Sequence, residues 1–424
     1  MKILILGATG FIGSAVALKL ARIGHMVTGF GRNLAFARRR YPDIIWHEGD
    51  LRDFITPQRW LALIENIDAV VNCAGALQDT PRDDVTAVQN LAMGALYEAA
   101  KSKSGFRIIQ ISAAKSLADS NTVFMNTKLK ADAALAKSGV EHVILRPALV
   151  LGRNANGGSA LLRAMAAMPF AVPLAFPQSI VETVSLDRVT EAVAHALDGT
   201  IPSGTDIDLI DVRSTLADLV AAHRQWLGLP RVSLMRVPGP AATALSRLAD
   251  LAGKLGWRSP LRSTAMIIAK AGITAGQAAN SAFHLLPPDM RLHPAAVQDL
   301  WFARLYALKP LIILALSLFW LMSGFVPLLD APSAAARFGD AFTPAVAMAI
   351  TLFTCLADIC LGFAILIRRQ ARLAMFGMLV LSLAYLFGAS LLEPALWIDP
   401  LGPLVKVLPS LVLTVIGLAI LDER

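Results

Sequence analysis

The sequence has only three cysteines among 424 residues, Cys73, Cys355 and Cys360. Their spacing fits neither a metal-ligand motif nor a disulfide framework, so we expect small core residues in a reducing compartment. The chain also lacks a basic patch interleaved with aromatic residues, because its 39 lysines and arginines are scattered. These absences argue against a metal centre and against a nucleic-acid partner.

The N-terminus lacks the long apolar region and the small-residue cleavage site of a signal peptide. The chain opens instead with MKILILGATG, in which a short apolar run leads directly into a glycine-containing turn. We therefore expect the N-terminal part to stay in the cytoplasm.

Charged residues become scarce after Lys309, in a chain that is 55% hydrophobic with a mean hydropathy of +0.58. Four apolar segments of about 20 residues follow, each long enough to span the hydrocarbon core of a lipid bilayer. They are Pro310–Leu329, Pro344–Ile367, Leu373–Leu392 and Leu404–Leu421. The sequence thus predicts an all-α bundle of four transmembrane helices behind a soluble part.

Basic residues are unevenly distributed among the loops beside these segments. Arg304 and Lys309 precede the first segment, and RRQAR (Arg368–Arg372) joins the second to the third. Because short cytoplasmic loops collect lysine and arginine, we expect the N-terminal domain and the C-terminus on the cytoplasmic side.

The first 30 residues predict a βαβ unit, since KILIL is followed by a glycine-rich turn, an apolar helix and a second apolar strand. Gly7, Gly10 and Gly13 allow a sharp turn, a close approach to a pyrophosphate, and tight packing of the helix on the strand. The free amides at the helix N-terminus favour phosphate there. This pattern predicts an α/β Rossmann-type fold with a doubly wound parallel sheet.

The GxxGxxG spacing resembles the short-chain dehydrogenase/reductase superfamily, and three later motifs agree. GDLRD (Gly49–Asp53) resembles the loop beside the adenine, NCAG (Asn72–Gly75) the fourth-strand signature, and LRPALVLG (Leu145–Gly152) a strand of the extended and atypical branches. The resemblance covers residues 1–230 and implies a set of cofactor-binding residues. These are Gly7, Thr9, Gly10, Phe11, Ile12, Gly13, Arg32, Asp50, Leu51, Cys73, Ala74, Gly75 and Lys128.

An acidic residue is missing at the end of the second strand, where an NAD site holds the ribose 2′-hydroxyl. GFGRN places Gly31 and Arg32 there instead. Because an arginine pairs a 2′-phosphate bidentately, the sequence favours NADP(H) over NAD(H). Arg38, in the ARRR run that follows, is either a second phosphate contact or part of a solvated helix face.

The superfamily's catalytic tyrosine is also missing, because Phe124 stands four residues before Lys128. The resemblance implies that Lys128 binds the nicotinamide ribose. The phenyl ring of Phe124, however, can neither donate nor accept a proton. Ala113 stands where a serine would polarise the substrate, and strand alternation turns the adjacent Ser112 to the other face. The catalytic candidates that remain are Lys128, Ser112 and Asn90, the last at the family's helix-four asparagine position or merely on a helix face.

The segment after LRPALVLG, where extended members build their substrate pocket, is SALLRAMAAMPFAVPLAFPQS, with Arg163 as its only charge. The prolines at 169, 173 and 177 predict a loop in its second half. We expect an apolar lid over an apolar small-molecule substrate, or a membrane contact. A helix packed in its own core is the alternative.

The last two apolar segments, with LWIDPLGPLVKVLP between them, resemble the DoxX-like membrane family, a four-helix bacterial module. That resemblance implies a bacterial inner (plasma) membrane and a redox setting. Asp358 lies inside the second segment, where a charge is costly unless it is paired or neutral. Its candidate partners are Tyr385, Ser323 and Ser410. A proton-relay or quinone-contact role and a structural role are both open for it.

Three parts are therefore predicted: an NAD(P)-binding domain (1–230), a helical extension with amphipathic stretches such as AATALSRLADLAGKLGW (231–309), and a DoxX-like transmembrane domain (310–424). The expected function is hydride transfer between NADP(H) and an apolar, membrane-soluble substrate, a quinone or an isoprenoid-like molecule. The alternative is a non-catalytic NADPH-binding structural or assembly subunit of a membrane redox complex, as the resemblance of ISAAKS to a complex I accessory subunit suggests. A sugar-nucleotide epimerase fits worst, because Phe124 and Ala113 remove the acid–base pair.

Overall fold

The computed structural model describes residues 1–75, 79, 84–114, 122–257, 259–274, 294–338, 341–400 and 402–422. The chain forms two compact units, Met1–Asp250 with Ser259–Leu300, and Leu251–Arg258 with Trp301–Arg424. The stretch predicted as a separate extension, 231–309, is divided between the two units. The three-part division of the sequence stays a prediction.

The first unit contains twelve strands among its described residues. They are β1 (Lys2–Leu6), β2 (Met26–Gly31), β3 (Ile45–Glu48), β4 (Ala69–Asn72), β5 (Arg107–Ile111), β6 (Glu141–Pro147), β7 (Leu149–Leu151), β8 (Ala171–Leu174), β9 (Ile180–Ser185), β10 (Thr205–Leu209), β11 (Val212–Thr215) and β12 (Ser233–Arg236). Seven form one parallel sheet in the order β10-β6-β5-β4-β1-β2-β3. The others form a β11-β9-β7 sheet and a β12-β8 pair.

The helices that accompany these strands are α1 (Phe11–Arg22), α2 (Ala35–Arg40), α3 (Pro57–Ile64), α4 (Ala92–Ala100), α5 (Val123–Lys137), α6 (Gly158–Ala166), α7 (Leu186–Asp198), α8 (Leu216–Trp226), α9 (Gly239–Lys254) and α10 (Ser263–Ala271). Helices α1 and α7 cover one face of the large sheet, and α3, α4 and α5 cover the other. Strand β1 shows why: Ile3 and Ile5 lie in the core beneath α1 and α7, whereas Leu4 and Leu6 lie in the core beneath α3 and α4. A strand buried on both faces is continuously apolar. The predicted Rossmann-type, doubly wound sheet is confirmed.

A buried ion cluster joins two neighbouring strands of this sheet, β6 and β10, to helix α5. Arg146 on β6 contacts Asp132 on α5 at 2.9 Å and Asp206 on β10 at 2.6 Å. Its Nη1 also donates to the Ser112 hydroxyl, just beyond β5, at 3.2 Å. The side chains of Arg146 and Asp132 are each 4% exposed, so their charges are compensated inside the protein rather than by water.

The second unit is helical where it is described. Its helices are α11 (Val297–Leu328, which begins in the first unit), α12 (Ala331–Ala336), α13 (Pro344–Ala364), α14 (Ala371–Leu392) and α15 (Val407–Ala419). By length and composition α11, α13 and α14 can cross a membrane. Helix α15 has 13 residues, and at about 1.5 Å per residue it is shorter than a hydrocarbon core of about 30 Å. The predicted count of four spanning helices is therefore not confirmed.

Asp358, on α13, has its carboxylate satisfied by the neighbouring helices. The Ser323 hydroxyl on α11 donates to it at 2.6 Å, and the Tyr385 hydroxyl on α14 donates at 2.8 Å. Both were predicted partners and are confirmed. The Ser410 hydroxyl is buried without a hydrogen-bond partner among the described residues, so this third candidate is not supported.

Replacing Arg146 with leucine should destabilise the large sheet, because Asp132 would remain buried without a cation. Breaking a buried pair from one side typically costs about 3–5 kcal/mol. We expect faster amide exchange throughout β5 and β6 of the full-length protein, measured by hydrogen–deuterium exchange and mass spectrometry. The control is Lys101→Leu, which removes a cation from the exposed Lys101–Glu98 pair and should change exchange little. Equal exchange in the two variants would contradict the expectation that an uncompensated Asp132 destabilises the sheet.

Candidate nucleotide-binding site

The turn after β1 has the geometry that its glycines predicted. Gly7 adopts a φ of +70°, and the Gly10 amide donates to its carbonyl oxygen at 2.8 Å. A Cβ atom added to Gly13 would lie 2.2 Å from that same oxygen, so the helix can approach this closely only with glycine there. Gly10 is the N-cap of α1 and supplies no side-chain cap. The first amides of α1 therefore need another acceptor, as a phosphate site requires.

The remaining predicted residues of this turn, Thr9, Phe11 and Ile12, are half-buried. Phe11 and Ile12 begin α1 and pack against the core beneath it. The Phe11 ring also lies 3.4 Å from the Cβ position of Gly152, at the end of the LRPALVLG motif. The first turn of α1 thus meets the segment that follows β7.

Arg32 and Asp50 lie beyond the ends of the neighbouring strands β2 and β3, which are joined there by a 3.0 Å hydrogen bond from the Gly49 amide to the Gly31 carbonyl. Burial raises the pKa of Asp50, but hydrogen bonds from Arg52 and the charges of Arg52 and Arg32 outweigh it, so the pKa lies below its ordinary value. Leu51, the next predicted residue, is buried and begins a short 3₁₀ helix, Leu51–Asp53.

The chain after β4 passes close beneath the glycine turn. A Cβ on Gly7 would lie 2.9 Å from the Cα of Ala74, and the Ala74 amide donates to the Asn72 side chain at 3.0 Å. Burial raises the pKa of the Cys73 thiol to about 12, against the opposing charge of Lys128. Cys73 is therefore a neutral lining residue at physiological pH, and not a thiolate nucleophile.

Lys128 and Gln89 flank Gly75, the last residue of that segment. The Nζ of Lys128 and the Nε2 of Gln89 each lie 3.6 Å from the position that a Gly75 Cβ would take. Lys128 also donates to the Ile111 carbonyl oxygen at 2.8 Å. Burial lowers the pKa of its ammonium group, while the Asp132 carboxylate opposes that shift. The structure brings the predicted Lys128 and Gly75 together.

Sequence reasoning missed Gln89, which is buried and accepts a 3.2 Å hydrogen bond from the Thr127 hydroxyl on α5. It lies in a π-helical turn, Ala87–Leu91, directly before α4. A π-helical turn adds a residue and shifts the phase of the helix faces, so the predicted Asn90 is only half-buried. The catalytic role of Asn90 stays a prediction.

Ser112 and Ala113 face different surroundings, as strand alternation predicted. The Ser112 hydroxyl donates to Asp132 at 2.5 Å and accepts from Arg146, so its hydrogen is not available to a substrate oxygen. The predicted catalytic role of Ser112 is therefore not supported by its contacts. Ala113 lies in a small apolar cluster with Met125, whose half-buried members are Phe124, Leu129, Ile268 and Ile273.

Two members of this apolar cluster come from the C-terminal part of the first unit's sequence. Ile268 is on α10, and Ile273 forms a parallel bridge with Val181 at the start of β9. The Ile273 amide donates to Ile180 at 2.9 Å, and its carbonyl oxygen accepts from Glu182 at 2.8 Å. A segment of the chain itself thus covers the positions where the superfamily's serine and tyrosine would stand.

The first half of the predicted apolar lid is packed in the core as a helix, which was the alternative, whereas Phe170 in its second half is 89% exposed. Residues 158–166 form α6 and 171–174 form β8, which pairs with β12. Arg163 is buried, donates to the Gly152 and Arg153 carbonyl oxygens at 2.5 and 2.9 Å, and stacks on Trp226. The lid was expected because prolines predict loops, yet Pro173 is tolerated in a two-stranded edge pairing.

Comparison with protein families assigns the two ends of the chain separately. Residues 3–169 match the NAD dependent epimerase/dehydratase family, and residues 317–415 match the DoxX-like family. The combination of a nicotinamide-dinucleotide Rossmann domain with a DoxX-like domain is confirmed, and the C-terminal part is membrane-embedded. No curated protein matches the chain.

Solved structures of similar fold cover the N-terminal part. UDP-glucose 4-epimerase of Thermotoga maritima is 15% identical, covers 57% of this chain and 87% of its own, and gives a TM-score of 0.47. WbmH of Bordetella bronchiseptica, solved with NAD+, is 21% identical, covers 62% of this chain and 95% of its own, and gives a TM-score of 0.47. UDP-glucose 4-epimerase of Thermus thermophilus, solved with NAD, is 18% identical, covers 57% of this chain and 88% of its own, and gives a TM-score of 0.46.

Gly13→Ala should weaken nucleotide binding, because its methyl group would meet the Gly7 carbonyl oxygen and displace the turn. A displacement costing about 1.4 kcal/mol of binding free energy would raise the dissociation constant tenfold. Titration of the full-length protein with NADPH, followed by nicotinamide fluorescence, measures this. The matched control is Gly94→Ala on α4, where an added Cβ has no neighbour within 4 Å. Unchanged affinity in Gly13→Ala would show that the nucleotide does not bind at this turn.

Proposed function

Because the chain joins an NAD-dependent epimerase/dehydratase-like domain to a DoxX-like membrane domain, we propose that it is a membrane-anchored oxidoreductase using NADP(H). It would transfer a hydride to or from an apolar, membrane-soluble substrate, a quinone or an isoprenoid-like molecule. Its nucleotide domain would face the cytoplasm from a bacterial inner membrane, in agreement with the basic residues beside the first segment and in Arg368–Arg372.

One observation carries the proposal: the nucleotide side of the site is retained while its acid–base side is apolar. Lys128 is held beside Gly75, and the Gly7–Gly13 turn leaves the first amides of α1 for phosphate. One step away, Ala113 and Phe124 belong to an apolar cluster. The residues present fit a dinucleotide, and in this site nicotinamide would supply the hydride.

Arg32 supports NADP(H) within this proposal. It is exposed and follows the second strand, where a 2′-phosphate would be recognised. A guanidinium group binds a phosphate through charge-assisted, bidentate hydrogen bonds, whereas a carboxylate at this position would repel it. NAD(H) remains the alternative cofactor.

The apolar cluster favours acceptors that need no proton from a tyrosine. A carbonyl reductase or a sugar epimerase requires an acid–base group near Phe124, and a phenyl ring cannot serve. A quinone takes one hydride and one proton to become a quinol, and the proton can come from water. Lys128 would orient the nicotinamide ribose, and the cluster would exclude water from one side.

A second candidate function is favoured by Ile268 and Ile273. Both pack where a substrate would have to approach Ala113 and Phe124, so the chain fills part of its own site. A protein that binds NADPH without turning it over would need no access there. This candidate is a structural or assembly subunit of a membrane redox complex.

Arg32→Ala should separate the two cofactors. Loss of a charge-assisted pair worth about 1.5–3 kcal/mol should weaken NADPH binding roughly 10- to 150-fold and leave NADH binding nearly unchanged. The control is Arg39→Ala, which removes the same charge from the exposed end of α2. Fluorescence titration of each variant with both nucleotides measures the effect. An equal loss for NADPH and NADH would contradict a 2′-phosphate contact.

Turnover distinguishes the two functions. We expect the full-length protein in mild detergent to oxidise NADPH repeatedly after a short-chain quinone is added, followed by the loss of reduced-nicotinamide absorbance. Ile268→Ala should raise the rate by widening the apolar cluster, whereas Ile267→Ala, at an exposed neighbouring position, should not. Tight NADPH binding without oxidation in all three proteins would favour the non-catalytic subunit.

The Phe124→Tyr variant tests whether Lys128 and the bound nucleotide are positioned for hydride transfer. The added hydroxyl would lie one helical turn from Lys128, which is the superfamily's arrangement. Gain of carbonyl-reductase activity in this variant would support the proposed orientation of the nucleotide. Its absence, with NADPH still bound, would count against a competent hydride-transfer geometry.

A further inference from the structure

Helix α9 (Gly239–Lys254) packs on the protein through its small residues. Ala242, Ser246 and Ala249 are 3%, 4% and 9% exposed, and Gly253 is also buried. Their spacing of four, three and four residues places them on one face of the helix. In an ordinary surface helix this face would carry the large apolar side chains.

The leucines of this stretch point away from that face. Leu245, Leu248, Leu251 and Leu255 are 47%, 64%, 56% and 38% exposed. Their spacing of three, three and four residues makes a second continuous stripe, which we call the leucine stripe. A stripe of four exposed leucines is more than the scattered apolar residues of a normal surface, and it indicates a contact outside the folded chain.

Basic residues border the leucine stripe. Arg247 and Lys254 are both exposed on α9, on a polar face that lies between the leucines and the buried small residues. A helix with leucines on one face and lysine or arginine beside it is typical of one that lies in the plane of a bilayer surface. There the leucines enter the acyl-chain boundary and the cations approach anionic headgroups.

The C-terminal end of α9 is fixed within the second unit, at the loop that joins α13 to α14. The Arg368 amide donates to the Leu255 carbonyl oxygen at 3.0 Å, and the Trp257 indole donates to the Leu366 carbonyl oxygen at 2.6 Å. The Arg368 guanidinium also stacks on Trp257 at 5.6 Å. A loop between two membrane-spanning helices lies at the membrane–water boundary, where tryptophan and arginine are favoured.

We propose that the leucine stripe of α9 is buried in the interfacial layer of the lipid bilayer. The occupant is lipid, and not a second protein, because the same helix ends at the loop between two spanning helices and carries cations beside its leucines. The inference concerns an interaction surface and does not depend on the proposed catalytic function.

The test places a fluorescent label on the leucine stripe of the full-length protein in lipid nanodiscs. Leu248→Cys is made with Cys360→Ser, because Cys360 is the exposed cysteine among the three. The nanodiscs contain phosphatidylglycerol and phosphatidylcholine with brominated acyl chains, which quench only a label at acyl-chain depth. Thr243→Cys, exposed on the polar face of the same helix, is the matched control.

We expect brominated lipid to quench the label at position 248 at least about twofold more than the label at 243, since an interfacial helix buries its apolar face by about 5–10 Å. Quenching of both labels by aqueous iodide but not by bromine would overturn the proposal. A label at 248 shielded from both quenchers would also overturn it and indicate a protein partner or a second copy. Leu251→Cys provides the same test if Leu248→Cys does not fold.

Discussion

The ion cluster of Arg146, Asp132 and Ser112 is the constraint on which the nucleotide site depends. Asp132 and Lys128 lie one helical turn apart on α5, so fixing Asp132 against Arg146 also fixes the base of Lys128. The Lys128 ammonium can then reach both the Ile111 carbonyl oxygen and the side of Gly75. A buried ion pair contributes little net stability, and Asp132 Oδ1 has no hydrogen-bond partner among the described residues. The cluster therefore acts chiefly by fixing the relative positions of β6, α5 and β10.

Burial has a further consequence for Lys128, because it lowers the pKa of the ammonium group and makes the charged form costly. The Asp132 carboxylate reduces that cost, but this carboxylate is already shared with Arg146 and Ser112. The Lys128 Nζ thus lies beside Gly75 with the Ile111 carbonyl oxygen as its hydrogen-bond acceptor. Ribose hydroxyls at that position would accept a further hydrogen bond from Nζ, as the proposed nucleotide binding requires.

The parts of the site that sequence analysis predicted are those fixed by local backbone chemistry. Gly7 needs a positive φ and Gly13 needs contact with the Gly7 carbonyl oxygen, and both requirements are visible as glycine spacing. The parts that it missed depend on phase or on distant segments. The π-helical turn contains Gln89, which lies beside Gly75, and Ile268 reaches Ala113 from more than a hundred residues away. No spacing rule in the sequence encodes either contact.

Helix α9 is a second case in which the sequence pattern does not predict which side chains are buried. Its sequence is plainly amphipathic, and amphipathicity ordinarily predicts that leucines face the core. That inference assumes water on the other side, and it fails when the second solvent is lipid, because a leucine stripe is then equally stable facing outward. Small residues can then pack against the protein, since Ala242, Ser246 and Ala249 allow close approach of the helix without any large side chain. If the leucine stripe lies at a lipid surface as proposed, Leu245, Leu248, Leu251 and Leu255 are exposed because a second apolar environment is available to them.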